Sequence, residues 1–503
     1  MEKIRLIGRN SRLSMLQMNL VKNKIETRFP ETEVEIITKT SLGDRLPEIP
    51  LQTVEGVDFF TQDIFNSLLN KEADIAVHSL KDMSATHFFG ENNFAVVDRE
   101  YQHDCAIFNP SIIEKLKQGK EIVVGTCSPR REEMAIKFLQ QALPFYGKTV
   151  QIITKSIRGN IDTRLQKLDQ RQYDAIILAA AGINRLLKSK TDAPLIRALL
   201  LHKKIMLLPL IECVPAPCQG AIVTEATKNH PTALAILSAI KEEKIHQDCI
   251  NEKKFASQYG VGCLQKFGVT TLPIHPSNMV YAAGKKSDDT DFTNWFNLPI
   301  LMVPAEELFS STDYMSRFFN YTYSEQPTHF STPTIFIANY KAVHLTADIN
   351  SLQQKRIWVS GTKTWLALAK LGIWVEGSAD AFGLDSLLPL WESPLLNIKK
   401  EDTTILTNKA SEKNWQSKFW NTASSYELAN QTDAVVTEKI KAANYIFWTS
   451  YRQYEQYKNQ VKPNAQHLCC SGETATLLRA KEIQPIVFPN IKAFQQWRIT
   501  NTF

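Results

Sequence analysis

The chain has 503 residues, 44% of them hydrophobic and 22% charged, which is globular composition with material for three or four compact units. A net charge of +6 without long Lys/Arg runs gives no nucleic-acid surface; no apolar stretch approaches the length of a membrane span, and Met1-Glu2-Lys3-Ile4-Arg5 does not open a secretory signal, so a cytoplasmic protein with no nucleic-acid or membrane partner is expected. The eight cysteines include no C-x-x-C pair and no Cys/His cluster at zinc spacing, which leaves no metal site to propose and means that any functional cysteine acts alone.

Up to about residue 298 strand and helix signals alternate. Residues 4–7 read as a short strand, after which Leu13, Leu16, Leu20, Val21 and Ile25 recur at helical spacing. Residues 34–37 are a second strand, and Phe60, Ile64 and Leu68 line one face of a helix. Residues 74–77, 121–124, 150–153 and 173–178 are further strands. Strands separated by helical segments imply parallel α/β sheets, whose ligands sit at loops beyond the strands' carboxyl ends.

All nine tryptophans lie at residue 295 or later, which implies a second module of different origin. The 287–291 stretch and Asn297-Leu298-Pro299 mark the expected junction. Beyond it the sequence repeats: Ile335-Phe336-Ile337-Ala338-Asn339-Tyr340 matches Ile446-Phe447-Trp448-Thr449-Ser450-Tyr451, and Ser360-Gly361 matches Ser471-Gly472, both at an offset of 111 residues (446 − 335 and 471 − 360). Looser echoes pair Ile300-Leu301 with Ile405-Leu406, and Phe318-Phe319-Asn320 with Phe419-Trp420-Asn421. A repeat this long suggests two similar α/β lobes rather than a solenoid.

In the first module, charged residues follow buried strands again and again. Arg9 and Ser11 follow the first strand, and His78-Ser79-Leu80-Lys81-Asp82 follows residues 74–77. Thr126-Cys127-Ser128-Pro129-Arg130-Arg131 follows 121–124 and leads into a helix, and Arg158-Gly159-Asn160 with Arg164 follows another strand. Singly, such a loop is usually a helix cap or a surface ion pair. Together, hydroxyls and N–H groups at helix starts with arginine forks make sites for carboxylates. Five arginines and a lysine at strand ends point to a polyanionic ligand, and the lone acid among them, Asp82, is placed to handle a proton or a developing cation.

At these residues the first 298 positions resemble hydroxymethylbilane synthases, also called porphobilinogen deaminases. The motifs Ala76-Val77-His78-Ser79-Leu80-Lys81-Asp82, Gly125-Thr126-Cys127-Ser128-Pro129-Arg130-Arg131, Arg158-Gly159-Asn160-Ile161-Asp162-Thr163-Arg164, Tyr173-Asp174-Ala175-Ile176-Ile177-Leu178-Ala179 and Gly262-Cys263 stand in that family's order. The resemblance implies two solute-binding-protein-like α/β domains and a small α+β domain. The first is discontinuous, residues 1–100 and 219–240; the second is 101–218; the third, 241–298, carries the cofactor cysteine. It further implies an enzyme that condenses four porphobilinogen molecules head to tail with loss of ammonia, giving hydroxymethylbilane for tetrapyrrole synthesis. Cys263 would hold a dipyrromethane cofactor through a thioether, and Asp82 would be the catalytic carboxylate. Arg9, Ser11, Lys81, Thr126, Ser128, Arg130, Arg131, Arg158 and Arg164 would bind the acetate and propionate groups of cofactor and substrate. A monomer is expected.

The chain also departs from the family. Its glycine-rich lid aligns with Val54-Glu55-Gly56-Val57-Asp58-Phe59-Phe60, where two glycines and a lysine are gone. Cys127 replaces a usual serine, Cys218 a usual glycine, and Lys253 a common arginine, which keeps the charge but loses the fork. Residues 299–503 resemble uroporphyrinogen-III synthase, through the repeat, Gly361-Thr362-Lys363-Thr364, Phe447-Trp448-Thr449-Ser450 and Gly472-Glu473-Thr474-Ala475. That resemblance implies a bilobal α/β module that cyclises hydroxymethylbilane to uroporphyrinogen III, with Tyr426 as its one site residue. The competing readings are a pseudoenzyme, or a solute-binding module of the same fold followed by a non-catalytic scaffold.

Overall fold

A computed structural model describes residues 2–40, 61–83, 93–260, 265–274, 278–296, 299, 301–380, 382–418 and 420–503. Strands β1 (Glu2–Arg9), β2 (Thr32–Lys39), β3 (Ile75–Ser79) and β4 (Phe94–Arg99) belong to one five-stranded sheet, and β5 (Asp104–Phe108), β6 (Ile122–Gly125), β7 (Ile152–Lys155), β8 (Ala175–Ala179) and β9 (Lys204–Leu207) form another. The chain then returns to the first sheet as β10 (Ala221–Glu225), giving the orders β2-β1-β3-β10-β4 and β7-β6-β8-β5-β9.

Only part of each sheet is parallel. β1 runs parallel to β2 and β3, and β6 to β7 and β8, but β10 is antiparallel to β3 and β4, and β5 to β8 and β9. No assigned helix separates β4 from β5 or β9 from β10. Both connections cross from one sheet to the other, and the strands they deliver, β5 and β10, are the ones that run antiparallel to their neighbours, so both sheets are mixed. Of the helical face expected after β1, Val21 and Ile25 are buried in Arg12–Arg28, while Leu13, Leu16 and Leu20 are half-buried and Met18, not among the expected residues, completes the inner face. Ile64 and Leu68 are likewise buried in the helix Gln62–Leu69, while Phe60 lies outside the described residues.

The two crossings run side by side: the Glu100 N–H donates to the Gly220 carbonyl at 3.0 Å. Gly220 has φ of +87°, and a Cβ there would stand 2.4 Å from the Glu100 oxygen, so both conformation and space require glycine. Strands β11 (Phe267–Leu272), β12 (Met279–Lys285) and β13 (Asp291–Trp295) then make an antiparallel meander. The 287–291 stretch is therefore no linker. It belongs to the β12–β13 hairpin, where the Lys286 N–H donates to the Thr290 carbonyl at 3.0 Å and Asp289 takes a φ of +61°. Short polar residues serve a tight turn as well as they serve a junction. Trp295 ends this meander; Asn297 and Leu298 lie outside the described residues.

The remaining strands are β14 (Leu308–Ser310), β15 (Phe319–Tyr323), β16 (Thr334–Ile337), β17 (Arg356–Val359), β18 (Val375–Ser378), β19 (Thr403–Asn408), β20 (Asn421–Asn430), β21 (Tyr445–Trp448), β22 (Gln466–Cys470) and β23 (Ile486–Phe488). They form a six-stranded sheet, β15-β20-β19-β16-β17-β18, and a four-stranded one, β14-β21-β22-β23. The 111-residue repeat maps β16 onto β21, each followed in its sheet by a parallel neighbour, β17 or β22. Ser360-Gly361 and Ser471-Gly472 precede the helices Thr362–Lys370 and Glu473–Arg479. The looser echoes are not repeat equivalents. Ile405-Leu406 is in β19, whereas Leu301 is in no strand and Ile300 lies outside the described residues. The other echo falls at the start of β15 and β20, which pair antiparallel, with Phe419 outside the described residues. Among the described residues no helix is long and apolar enough to cross a membrane.

Candidate functional site

β1 and β3 are parallel neighbours in the register Ile7↔Ala76, so both leave the first sheet at one edge. That edge carries Arg9 and Ser11 on one side and the short 3-10 turn Leu80–Asp82 on the other. Ser11 caps the helix Arg12–Arg28, its hydroxyl accepting from the Ser14 N–H at 3.2 Å. β6 and β7 pair parallel through Gly125↔Lys155 and leave the second sheet together, delivering Thr126 to Arg131 and Arg158 to Arg164. The buried Thr126 hydroxyl accepts from the Ser128 N–H at 3.2 Å. Ser128 stands at the N-cap of Pro129–Ala142 without a side-chain cap of its own.

Electrostatics tie the two edges together. Burial pushes the Lys81 ammonium below its ordinary value; the Asp82 carboxylate resists, and the guanidinium groups of Arg131 and Arg130 add to the fall. Arg164 is pushed down by burial and by Arg131 and Arg158, with the Cys127 thiol on its other side. Lys81 thus feels Asp82, Arg130 and Arg131, and Arg164 feels Cys127, Arg131 and Arg158, so Arg131 is common to both groups although the loops come from two sheets. Arg164 is positioned by its Nε donating to the Gly159 carbonyl at 2.7 Å.

Arg130 and Arg131 are held from behind by a carboxylate that motif reading missed. Asp104, fully buried at the start of β5, accepts from Arg130 Nη2 at 2.8 Å and from Arg131 Nη2 at 2.8 Å and Nε at 3.2 Å. Gln219 Nε2 adds a bond to it at 3.0 Å. Burial opposes the charge on Asp104, but the two guanidinium groups outweigh it and hold the carboxyl well below the usual range. The arginines also reach the carbonyls of Val214 at 2.8 Å and Ile177 at 3.0 Å. Asp104 begins an apolar strand and matches no functional motif; its only signal was being an isolated acid at a strand start.

The Asp82 turn is pinned from the helix Glu243–Ala256. Lys253, buried, donates its ammonium to the carbonyl of Met83, the residue after Asp82. Its neighbour Glu252, fully buried, accepts from Arg99 Nη1 and Nη2 at 2.9 Å each, from the Cys218 N–H at 2.7 Å and from the Thr271 N–H at 2.7 Å. One carboxylate thus joins both crossings to the β11–β13 meander. Cys218 adopts φ of +60°, which explains why a glycine suits that position. Cys263, the expected cofactor anchor, and the 54–60 lid lie outside the described residues.

Tyr426 is in β20, 5% exposed, opposite Tyr323 of β15. Burial raises its hydroxyl to about 12, Asn408 opposing through a hydrogen bond and Tyr321 and Tyr323 adding to the rise. The surrounding group is aromatic and cationic: Lys341 Nζ lies 3.1 Å from the Tyr321 ring centre, and Tyr323 meets the His344 ring at 4.8 Å.

Residues 4–235 match the family model described as "Porphobilinogen deaminase, dipyromethane cofactor binding domain". Porphobilinogen deaminase of Streptococcus sanguinis is 32% identical over 265 residues, which is 52% of this chain and 80% of that one. That of Sulfurimonas denitrificans is 35% identical over 269 residues, 54% of this chain and 79% of the relative. A probable porphobilinogen deaminase of Methanocaldococcus jannaschii is 33% identical over 271 residues, 54% of this chain and 82% of its own. Among solved structures, a probable amino-acid ABC transporter extracellular-binding protein of Bacillus subtilis overlaps 51% of this chain and 97% of its own at 15% identity, with a TM-score of 0.25, too slight a likeness to build on.

Proposed function

Because the chain belongs to the porphobilinogen deaminase family and its first half is a porphobilinogen deaminase, we propose that this half condenses four porphobilinogen molecules head to tail, releasing ammonia and yielding hydroxymethylbilane. The observation that carries this is Asp82 in the field of the buried Lys81, which Arg130 and Arg131 also share, while Asp104, the other carboxylate acting on Lys81, is taken up by the two arginines. Asp82 delivers a proton to the departing amine, and its carboxylate then stabilises the positive charge developing on the pyrrole ring.

A dipyrromethane fits the residues present. Burial, with Arg131 and Arg158 adding to it, leaves the Arg164 guanidinium short of a counter-charge, which acetate and propionate groups supply. Lys81, Arg158 and Arg164 hold these carboxylates directly. Arg130 and Arg131, fixed on Asp104, contribute field and their remaining N–H groups. Arg9, Ser11, Thr126 and Ser128 complete the binding surface. When bound through Cys263, the dipyrromethane supplies the pyrrole carbon to which units are added. Intact-mass measurement tests this: the purified protein should carry a dipyrromethane adduct that Cys263→Ser lacks, and an unmodified, active protein would overturn it.

We read residues 299–503 as a bilobal module that closes hydroxymethylbilane to uroporphyrinogen III. Support comes from the repeat relating β16 to β21 and from the aromatic and cationic group around Tyr426. The domain division 1–100 with 219–240, 101–218, 241–298 and 299–503 belongs to the same reading. Hydroxymethylbilane closes unaided to the type I isomer, so supplying porphobilinogen to the full chain and separating the oxidised products is decisive. Type III product supports cyclisation; type I alone reduces the module to a scaffold.

A further inference from the structure

The apolar cores do not divide at residue 299. Phe108, Phe138 and Leu139 share one core with Trp365, Leu368 and Trp374. Ile183, Leu186 and Leu187 share another with Trp391, Leu395 and Leu396. A third joins Leu272, Tyr281 and Trp295 of the meander to Phe447, Phe488 and Phe494. By contrast, the two cores around the helix Arg12–Arg28 and the helix Gln62–Leu69 contain, among the described residues, nothing beyond Ile240.

The contact is also hydrogen-bonded in its interior. Trp365 Nε1 donates to the Ala142 carbonyl at 3.1 Å, and the Phe145 N–H to the Ala369 carbonyl at 2.8 Å. Trp374 Nε1 donates to the Ile205 carbonyl at 3.2 Å, its ring meets Phe108 edge-on at 5.1 Å, and Lys204 lies 5.1 Å from its centre. Ile205 belongs to β9, the edge strand of the second sheet, so Trp374 covers an edge that would otherwise offer open backbone groups. Further along, the Leu210 N–H donates to Asp380 Oδ2 at 2.8 Å, and the Leu395 N–H to Asn184 Oδ1 at 3.2 Å. Modules joined only by a tether meet through small polar interfaces. This one is apolar and aromatic, with its indole and backbone N–H groups bonded across it.

We propose that residues 301–503 have a second role, independent of any chemistry they perform: they complete the core of the deaminase half. The β5–β9 sheet, the β11–β13 meander and the two C-terminal sheets form one cooperative body. The β1–β4 and β10 sheet is the separately cored unit, linked to that body through the Arg99–Glu100 and Gln219–Gly220 crossings. A C-terminal half with no cyclase activity would still be indispensable to its neighbour.

The tryptophans make this testable in the full chain, since all nine lie at or after residue 295. In a urea titration of Trp295→Phe, which removes the one tryptophan of the meander, the fluorescence of the remaining eight reports the C-terminal half and porphobilinogen consumption the other. Coincident midpoints are expected; loss of fluorescence at lower urea than loss of activity would overturn the proposal. Hydrogen exchange of the full chain gives a readout without catalysis. In Trp374→Ala, amides at 139–145 and 204–207 should exchange roughly a hundredfold faster, as expected for emptying a buried aromatic site. In the milder Trp365→Phe, which keeps the ring and loses the bond to Ala142, the increase should be roughly tenfold. Unchanged exchange there in Trp365→Phe overturns the proposal even if the alanine variant fails to fold.

Discussion

Arg131 grips Asp104 with two nitrogens, Nη2 at 2.8 Å and Nε at 3.2 Å, both on the same carboxylate oxygen. Arg130 takes the other oxygen at 2.8 Å. Two arginines read from the sequence as ligands for substrate carboxylates thus have much of their donor capacity engaged inside the protein. Their cationic faces are set in place by an acid 26 and 27 residues away.

Asp104→Ala should therefore be severe. It leaves two buried guanidinium groups uncompensated, a class of change that costs about 3–5 kcal/mol. Urea unfolding measures it, and a loss under about 1 kcal/mol would mean the arginines find other partners. Arg131→Lys should fall between, because a lysine keeps the charge and loses the double contact.

Asp82→Asn should lower porphobilinogen turnover on the order of a hundredfold or more while the protein stays folded. Lys253→Met should lower kcat about tenfold with little change in KM, because it frees the Met83 carbonyl that steadies the Asp82 turn. Lys253→Arg should restore most of the rate. Steady-state kinetics on cofactor-loaded protein decide; full turnover by the methionine variant removes Lys253 from the account.

Asp380 gives a pH signature to the contact between the halves. Burial raises its carboxyl to about 7, and Glu212 adds to the rise, while the bonds from Leu210 and Ser378 oppose it. An acid whose folded value is raised stabilises fully below its unfolded value, near 4, and that contribution is lost as pH climbs through 7. Asp380→Asn should accordingly match the wild type only at or below about pH 4, gain on it steadily as pH rises, and exceed it by more at pH 8 than at pH 5, by an amount on the order of a few kcal/mol. Comparing variant with wild type cancels the opposing trend from His103, which burial lowers to about 4. Equal Tm differences at both pH values would show that Asp380 stays ionised throughout.

Tyr426→Phe keeps the ring between Tyr321 and Tyr323 and removes the hydroxyl. It should leave porphobilinogen consumption intact and lower the ratio of type III to type I product about tenfold, the scale of one ordinary hydrogen bond. An unchanged isomer ratio would make Tyr426 a packing residue.

The sequence by itself determined what is local and periodic. Val21 and Ile25 recur at the spacing of a buried helical face, and the offset of 111 residues relates β16 to β21, because both patterns are written along the chain itself. Tertiary structure decided whatever depends on distant segments meeting. No spacing rule joins Asp104 to Arg130, Glu252 to Arg99 or Lys253 to Met83, since buried charge selects its partner by desolvation and geometry after the chain has closed. The same holds at residues 287–291, where polar turn residues belong to a hairpin because β12 and β13 pair around them. It holds most of all for the tryptophans. Their clustering marked a boundary in the sequence, yet Trp365 and Trp374 pack across it onto Phe138 and Phe108, because large apolar surfaces are buried against whatever shape fits them.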